Sequence, residues 1–231
     1  MFYYYGAKHR LAKRYPEPAY SVIVEPFAGA AGYSMFWLER DKSARAILVE
    51  KDPRVAATWT RLLQMSPDEI ATIPIPVAGE RSADFLIMTA AASNATATLR
   101  AMRVSKRSHG EIARMLRRMA RVREAIGDRV SVITGDYTLA PNDDPYTWFI
   151  DPPYQTTRVA GKTPRGGGMG YAHGCRSSEI DYGALAKWCR SRAGQVIVSE
   201  YLTSDWLPFS PLAINQDANG RQYPEGLWVS G

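Results

Sequence analysis

Tyr146-Thr147-Trp148-Phe149-Ile150-Asp151-Pro152-Pro153-Tyr154 is a largely apolar run that stops at a carboxylate, two prolines and an aromatic ring. A short apolar run rich in β-prone residues and closed by turn formers reads as a buried strand. Proline cannot donate to a sheet ladder and fixes its own φ, so the chain must leave the sheet here. The strand's C-terminal edge then presents the Asp151 carboxylate, a backbone carbonyl and the Tyr154 ring. That edge is where open α/β sheets bind ligands. Two acceptors and an aromatic face suit a flat ring that carries an amino group. An ordinary strand-ending turn has the same four residues, so the rest of the chain decides.

Upstream, residues 21–25 form a short apolar strand ending in Glu25. It runs into Pro26-Phe27-Ala28-Gly29-Ala30-Ala31-Gly32 and then a helix over 33–40. Strand, small-residue turn and helix make the first unit of a nucleotide-binding α/β fold, with glycines allowing close backbone approach to a ligand. Glu25 disfavours a phosphate there and favours a positive amine. A second strand over 46–50 ends at Glu50, about 20 residues beyond the turn, where such sheets place the acid that binds ribose hydroxyls. Asp52 competes for that role. Pro53 opens a helix to residue 64, as proline does at a first helical turn. A third strand, 130–134, leads into Gly135-Asp136-Tyr137, and strand 146–150 delivers Asp151. A helix over 181–192 and a fifth strand over 195–199 follow, and residues 211–231 are expected to finish the sheet as a hairpin.

Between the second and third strands lie about 60 residues without a clear strand pattern. Pro67, Pro74 and Pro76 break the chain, and helix-prone segments follow at about 84–92 and 110–126. In its centre, from Arg100 through Arg123, Arg100, Arg103, Lys106, Arg107, Arg114, Arg117, Arg118, Arg121 and Arg123 stand against the single acid Glu111. Such density points to a phosphate-contacting surface, whose binding is salt-dependent. Overall, 29 basic against 23 acidic residues give a net charge of +6, which agrees with this but does not require it. No apolar run is long enough to span a membrane. The start of the chain lacks the pattern of a secretory signal. Cys175 and Cys189 make neither a metal pattern nor a disulfide framework, and His9, His109 and His173 lack ligand spacing, so no metal is expected. The glycine-rich run 166–171 beside the presumed site is either a lid or a linker.

Taken together, these stretches resemble the S-adenosylmethionine-dependent adenine-N6 DNA methyltransferases of the Dam-like, D12 class. The resemblance is carried in order by Tyr5-Gly6-Ala7-Lys8, Pro26-Phe27-Ala28-Gly29, Glu50, Gly135-Asp136-Tyr137 and Asp151-Pro152-Pro153-Tyr154. Ala31 departs from it, standing where the family has a second glycine, with Gly32 one place later. The resemblance implies an α/β fold with a Rossmann-like class I methyltransferase sheet, helices on both faces and a small, mostly helical insertion. Residues 1–64 and 127–231 would be the catalytic domain and 65–126 the target-recognition insertion. S-adenosylmethionine would lie against Tyr5, Lys8, Glu25, Pro26, Phe27, Ala28, Gly29, Glu50 or Asp52, Asp136, Tyr137 and Asp151, leaving as S-adenosylhomocysteine. Asp151 and the Pro152 carbonyl would accept the two N6–H bonds of a flipped adenine, Pro153 would hold the turn and Tyr154 would stack on the base.

Double-stranded DNA would be the partner, bound by Arg100, Arg103, Lys106, Arg107, Arg114, Arg117 and Arg118. The implied setting is the cytoplasm of a bacterium, or of a bacterial host if the gene is viral, with the protein a monomer or weak dimer. RNA adenine is an alternative acceptor. Asp151 and the arginines argue against a glutamine amide. A catalytically silent nucleic-acid-binding module of the same fold is the reading from another class.

Overall fold

The computed structural model describes residues 2, 4, 8–9, 11–91, 101–155, 175–216 and 222–231. The first half of the chain forms β1 (Val22–Glu25), α1 (Gly32–Leu38), β2 (Arg45–Glu50), α2 (Pro53–Gln64), α3 (Pro67–Ala71), β3 (Arg81–Ser82) and α4 (Phe85–Ala91). The second half forms β4 (Met102–Arg103), α5 (Lys106–Ile126), β5 (Val130–Thr134), β6 (Tyr146–Ile150), α6 (Tyr182–Arg190), β7 (Gly194–Tyr201), β8 (Ser210–Gln216) and β9 (Gln222–Ser230).

Seven strands make one sheet in the order β5-β2-β1-β6-β7-β9-β8. The first five run parallel, β9 joins β7 antiparallel, and β8 closes on β9. This is a Rossmann-like sheet, with its strand order reversing between β1 and β6. The expected C-terminal hairpin finishes it, folded back so that its second strand lies inside its first.

Successive strand residues divide between two apolar clusters, as period-two side chains must. Ile23, Leu48, Phe149 and Ile197 face the cluster that takes in α1, α2 and the buried sides of α3, α4 and α5. Val24, Val49, Trp148, Ile150 and Val198 face the one that includes α6. All five residues of β6 are buried, the expected state of a parallel strand covered on both faces.

Three local details differ from the sequence pattern. α5 begins at Lys106 rather than near 110. Ser105 caps it by accepting the Ser108 N–H at 3.0 Å while Ser108 Oγ accepts the Ser105 N–H at 2.6 Å. Pro67 opens α3 instead of only breaking the chain, with Ser66 and Glu69 in a capping box. A two-residue antiparallel ladder, β3 with β4, lies in the stretch expected to lack strands. Two residues a side are too few to leave an alternation in sequence.

The arginines of α5 separate by helical phase. Arg107, Arg114, Arg117 and Arg121 are exposed on α5, whereas Ile112, Met115, Leu116, Met119, Val122 and Ile126 are buried. Arg123 falls on the inward side. Its guanidinium donates to the carbonyls of Leu63 (2.9 Å), Met65 (3.2 Å) and Gly127 (2.7 Å), tying the end of α2 to the end of α5. Arg123→Ala is therefore expected to cost about 2 kcal/mol in urea unfolding, because it strands those carbonyls, whereas Arg117→Ala stays within about 0.5 kcal/mol.

Candidate active site

The C-terminal ends of β1, β2 and β6, with the loop after β5, open on one solvent-connected pocket of about 250 Å³. Lys8, Glu25, Pro26, Phe27, Ala28, Gly29, Glu50, Asp136, Tyr137, Asp151 and Pro153 line it. Pro152, Tyr154 and Asp52 do not. Tyr5, Arg100 and the glycine run 166–171 lie outside the described residues.

The turn after β1 explains how the glycines are used. Gly29 and Ala31 both adopt left-handed backbone (φ 47°), so Ala31 carries a strain of about 1–2 kcal/mol where glycine would carry none. The Gly29 N–H donates to Glu50 Oε2 at 2.8 Å, and the Trp59 indole N–H donates to the Gly29 carbonyl at 2.7 Å. Gly32 serves a different purpose. A Cβ there would lie 2.5 Å from the His9 nitrogen and 2.9 Å from the Lys8 nitrogen, so a glycine lets the 8–9 backbone press on the start of α1.

Each acid has a definite environment. Glu25 accepts the Ser34 N–H at 2.6 Å. Glu50 accepts the N–H groups of Gly29 and Asp52, the latter at 2.8 Å. Asp52 itself caps α2 through the Arg54 N–H at 2.9 Å and pairs with the Arg54 guanidinium, so of the two candidate ribose acceptors only Glu50 faces the pocket. Asp136 pairs with Lys51 at 3.1 Å. Phe27 stacks on Tyr137 at 5.4 Å, and Tyr137 meets Trp188 edge-on, which gives the pocket an apolar wall.

At the β6 end, the Lys8 ammonium sits 2.9 Å from Asp151 Oδ1 and 4.6 Å above the Tyr154 ring. The Tyr154 hydroxyl donates to Ser199 Oγ at 2.6 Å. Ser199 in turn donates to Glu225 Oε1 at 2.7 Å, and Tyr15 also donates to that oxygen. The Tyr182 hydroxyl donates to the Pro153 carbonyl, and Glu200 accepts the Gln155 N–H and the Trp206 indole N–H.

Sequence reasoning passed over these supports, and over Cys175, Glu179, Ile180 and Asp181 in the pocket wall, whereas Tyr4, also in that wall, belongs to the aromatic start of the chain that sequence marks as able to meet a ring. Ser199 and Glu200 did carry a signal. They end a strand whose register pairs Ile150 with Val198, placing the next residues beside Asp151. Tyr15 and Glu225 carried none.

Burial dominates the electrostatics. It pushes the carboxyls of Glu25 up to about 8, Glu50 to about 7, Glu200 to about 7 and Asp151 to about 6. Backbone donors hold Glu50 down and the Lys8 ammonium holds Asp151 down, each against a larger desolvation. Burial alone would lower Lys8. Asp151, with Glu225 behind it, more than reverses that, and the ammonium titrates above its ordinary range. The pocket therefore concentrates carboxylates that a cationic ligand would help ionise. Among the described residues no group of three or more His, Cys, Asp or Glu is placed to hold a metal, and no helix is long and apolar enough to cross a membrane.

No family model matches the chain, and no curated protein matches it. Among solved structures, it overlaps a Haemophilus influenzae protein described as a candidate methylase. The identity is 11%, over 90% of this chain and 78% of that one, with a TM-score of 0.39. A glycopeptide N-methyltransferase complexed with S-adenosylmethionine overlaps at 14% identity, covering 99% and 67% of the two chains, with a TM-score of 0.38. Likenesses this distant do not bear on chemistry, for which the strand order and the pocket have to speak.

The raised carboxyls predict an unusual stability profile. A carboxyl whose folded pKa exceeds its unfolded one contributes stability that is complete at low pH and is lost as pH rises through the folded value. The ligand-free protein is expected to lose on the order of 5 kcal/mol, or on the order of 10 °C in Tm, between pH 5.5 and 8.5. Glu25→Gln should flatten the upper part of that fall. A Tm that rises over this interval would contradict the buried-acid account.

Proposed function

We propose that the protein transfers the methyl group of S-adenosylmethionine to N6 of an adenine flipped out of double-stranded DNA. The observation that carries this reading is the placement of Asp151. It stands at the end of the buried central strand, is followed by Pro152-Pro153-Tyr154, and opens on the same pocket as Glu25, Glu50 and Asp136. Its side chain is 17% exposed, so an entering amine can reach it.

The residues present fit the donor. Glu50 is an acceptor suited to a diol, Asp136 lines the pocket next to the Phe27–Tyr137 wall, and Glu25 beside the turn suits an ammonium group. When bound, the donor supplies an electrophilic methyl group on a good leaving group. The protein's part is then orientation and charge placement. The lone pair of an adenine amine is conjugated with its ring, which makes it a weak nucleophile. Asp151 and the Pro152 carbonyl would accept the N6–H bonds and draw the nitrogen toward a pyramidal form. Tyr154 would face the base with its ring already fixed by Ser199. Extracting the base from the duplex costs a few kcal/mol, which these contacts offset.

The basic face of α5 supports a nucleic-acid partner. Lys106, Arg107, Arg114 and Arg117 are exposed along a helix of 21 residues, about 31 Å long, and Arg103 is exposed just before it. Arg107 has a local acid, Glu111, and Arg103 donates to the Gly79 carbonyl. Arg118 is half-buried against His9, and with Arg121 and Glu39 the two line a separate cavity beside α5.

Incubation with labelled S-adenosylmethionine and unmethylated duplex, followed by digestion to nucleosides, should place the label in N6-methyldeoxyadenosine. Label confined to RNA or protein would overturn the choice of DNA. Asp151→Ala is expected to lower transfer about 100-fold or more with donor binding little changed. Replacing Arg114 and Arg117 by Glu should raise KM for DNA at nearly constant kcat and flatten its salt dependence by about one unit of slope for each phosphate that is no longer neutralised.

A further inference from the structure

We propose that Lys8 is a positioning residue that keeps Asp151 a hydrogen-bond acceptor and holds the Tyr154 ring in place for the incoming base. The inference rests on the reading of Asp151 as the amine acceptor. It concerns a residue that the sequence pattern had placed with the cofactor.

The geometry is specific. Lys8 and Asp151 form a close ion pair in which both side chains are largely buried, at 10% and 17% exposure. Beyond the ammonium contact, Asp151 Oδ1 is buried without a directed hydrogen bond. The same ammonium lies over the Tyr154 face, so one cation touches both chemically distinctive ends of Asp151-Pro152-Pro153-Tyr154. Its position is enforced from behind, because Gly32 has no side chain where the Lys8 and His9 backbone presses against α1.

A neutral carboxyl beside an amine can donate its own proton and has lost acceptor capacity, whereas a carboxylate only accepts. The other acids set against Asp151 work against ionisation: Glu225 raises it, and Glu25, Glu200 and the Tyr15 hydroxyl lie near enough to interact with it. Lys8 is the cation that opposes them, with a smaller contribution in the same direction from the Tyr154 hydroxyl, and with Lys8 present the carboxyl titrates at about 6. A carboxylate has about four acceptor positions, so the ammonium leaves room for an amine.

The test uses the full-length protein with aspartate labelled at the carboxyl carbon and the Asp151 resonance identified through Asp151→Asn. In the unsubstituted protein that carboxyl should titrate near 6. In Lys8→Met, which preserves length and apolar stem, the midpoint should rise by more than about one pH unit, a tenfold change in ionised fraction at a given pH. Lys8→Arg should restore a midpoint near the original. Methyl transfer by Lys8→Met should fall about tenfold or more at neutral pH and recover as pH rises toward 9, shifting the acidic limb of the rate profile.

An unchanged Asp151 midpoint in Lys8→Met overturns the proposal, and so does a rate loss of equal size at every pH. If Lys8→Met does not fold, the unsubstituted protein still decides. An Asp151 carboxyl that remains protonated at neutral pH refutes the role. The carboxyl titration needs no turnover, so failure to methylate DNA would count against the proposed function and not against the Lys8–Asp151 coupling.

Discussion

Everything at the candidate site hangs from the way β6 ends. The strand is buried along its whole length with a parallel partner on each side, and such a strand has no natural place to stop. Pro152 ends it by withholding an N–H, and Pro153 prevents recovery one residue later. The abrupt exit leaves Asp151 at the edge of the sheet, with its neighbours supplied by whichever strand ends lie alongside. β1 and β2 bring Glu25 and Glu50, and β7 brings Ser199 and Glu200. The reversal of strand order between β1 and β6 opens the crevice into which they point.

The elements that could be read from sequence are those whose signals are local. Each parallel strand shows as a short apolar run, and the acids at Glu25, Glu50 and Asp151 end their runs. Once those runs are taken as parallel neighbours, the acids must share an edge. The network behind Tyr154 was not legible because it is made of distant partners. Tyr15 and Glu225 are 210 residues apart and meet only because β9 inserts between β7 and β8. Arg123 and Arg117 are chemically identical in a sequence. Only the rotation of α5 makes one a tie between helix ends and the other a surface charge.

Ala31 and Gly32 show how a departure from a pattern can be resolved by geometry. The left-handed position that glycine ordinarily fills is occupied by alanine, at some cost in strain. The following glycine is needed for clearance rather than for its φ, since backbone from the start of the chain occupies the space a side chain would take. The spacing of small residues around such a turn therefore reflects two separate requirements that happen to be adjacent.

The inward placement of β9 has a consequence for how the protein is made. Strand β7 receives its last neighbour only after β8 has been passed over, and Glu225 reaches Tyr15 and Ser199 only when that strand docks. A growing chain on the ribosome can assemble its parallel strands while the tyrosine behind the pocket still lacks its anchoring carboxylate. Bracing of Tyr154 is thus coupled to the docking of β9, and a chain that has not yet added that strand holds the pocket before its tyrosine support is complete.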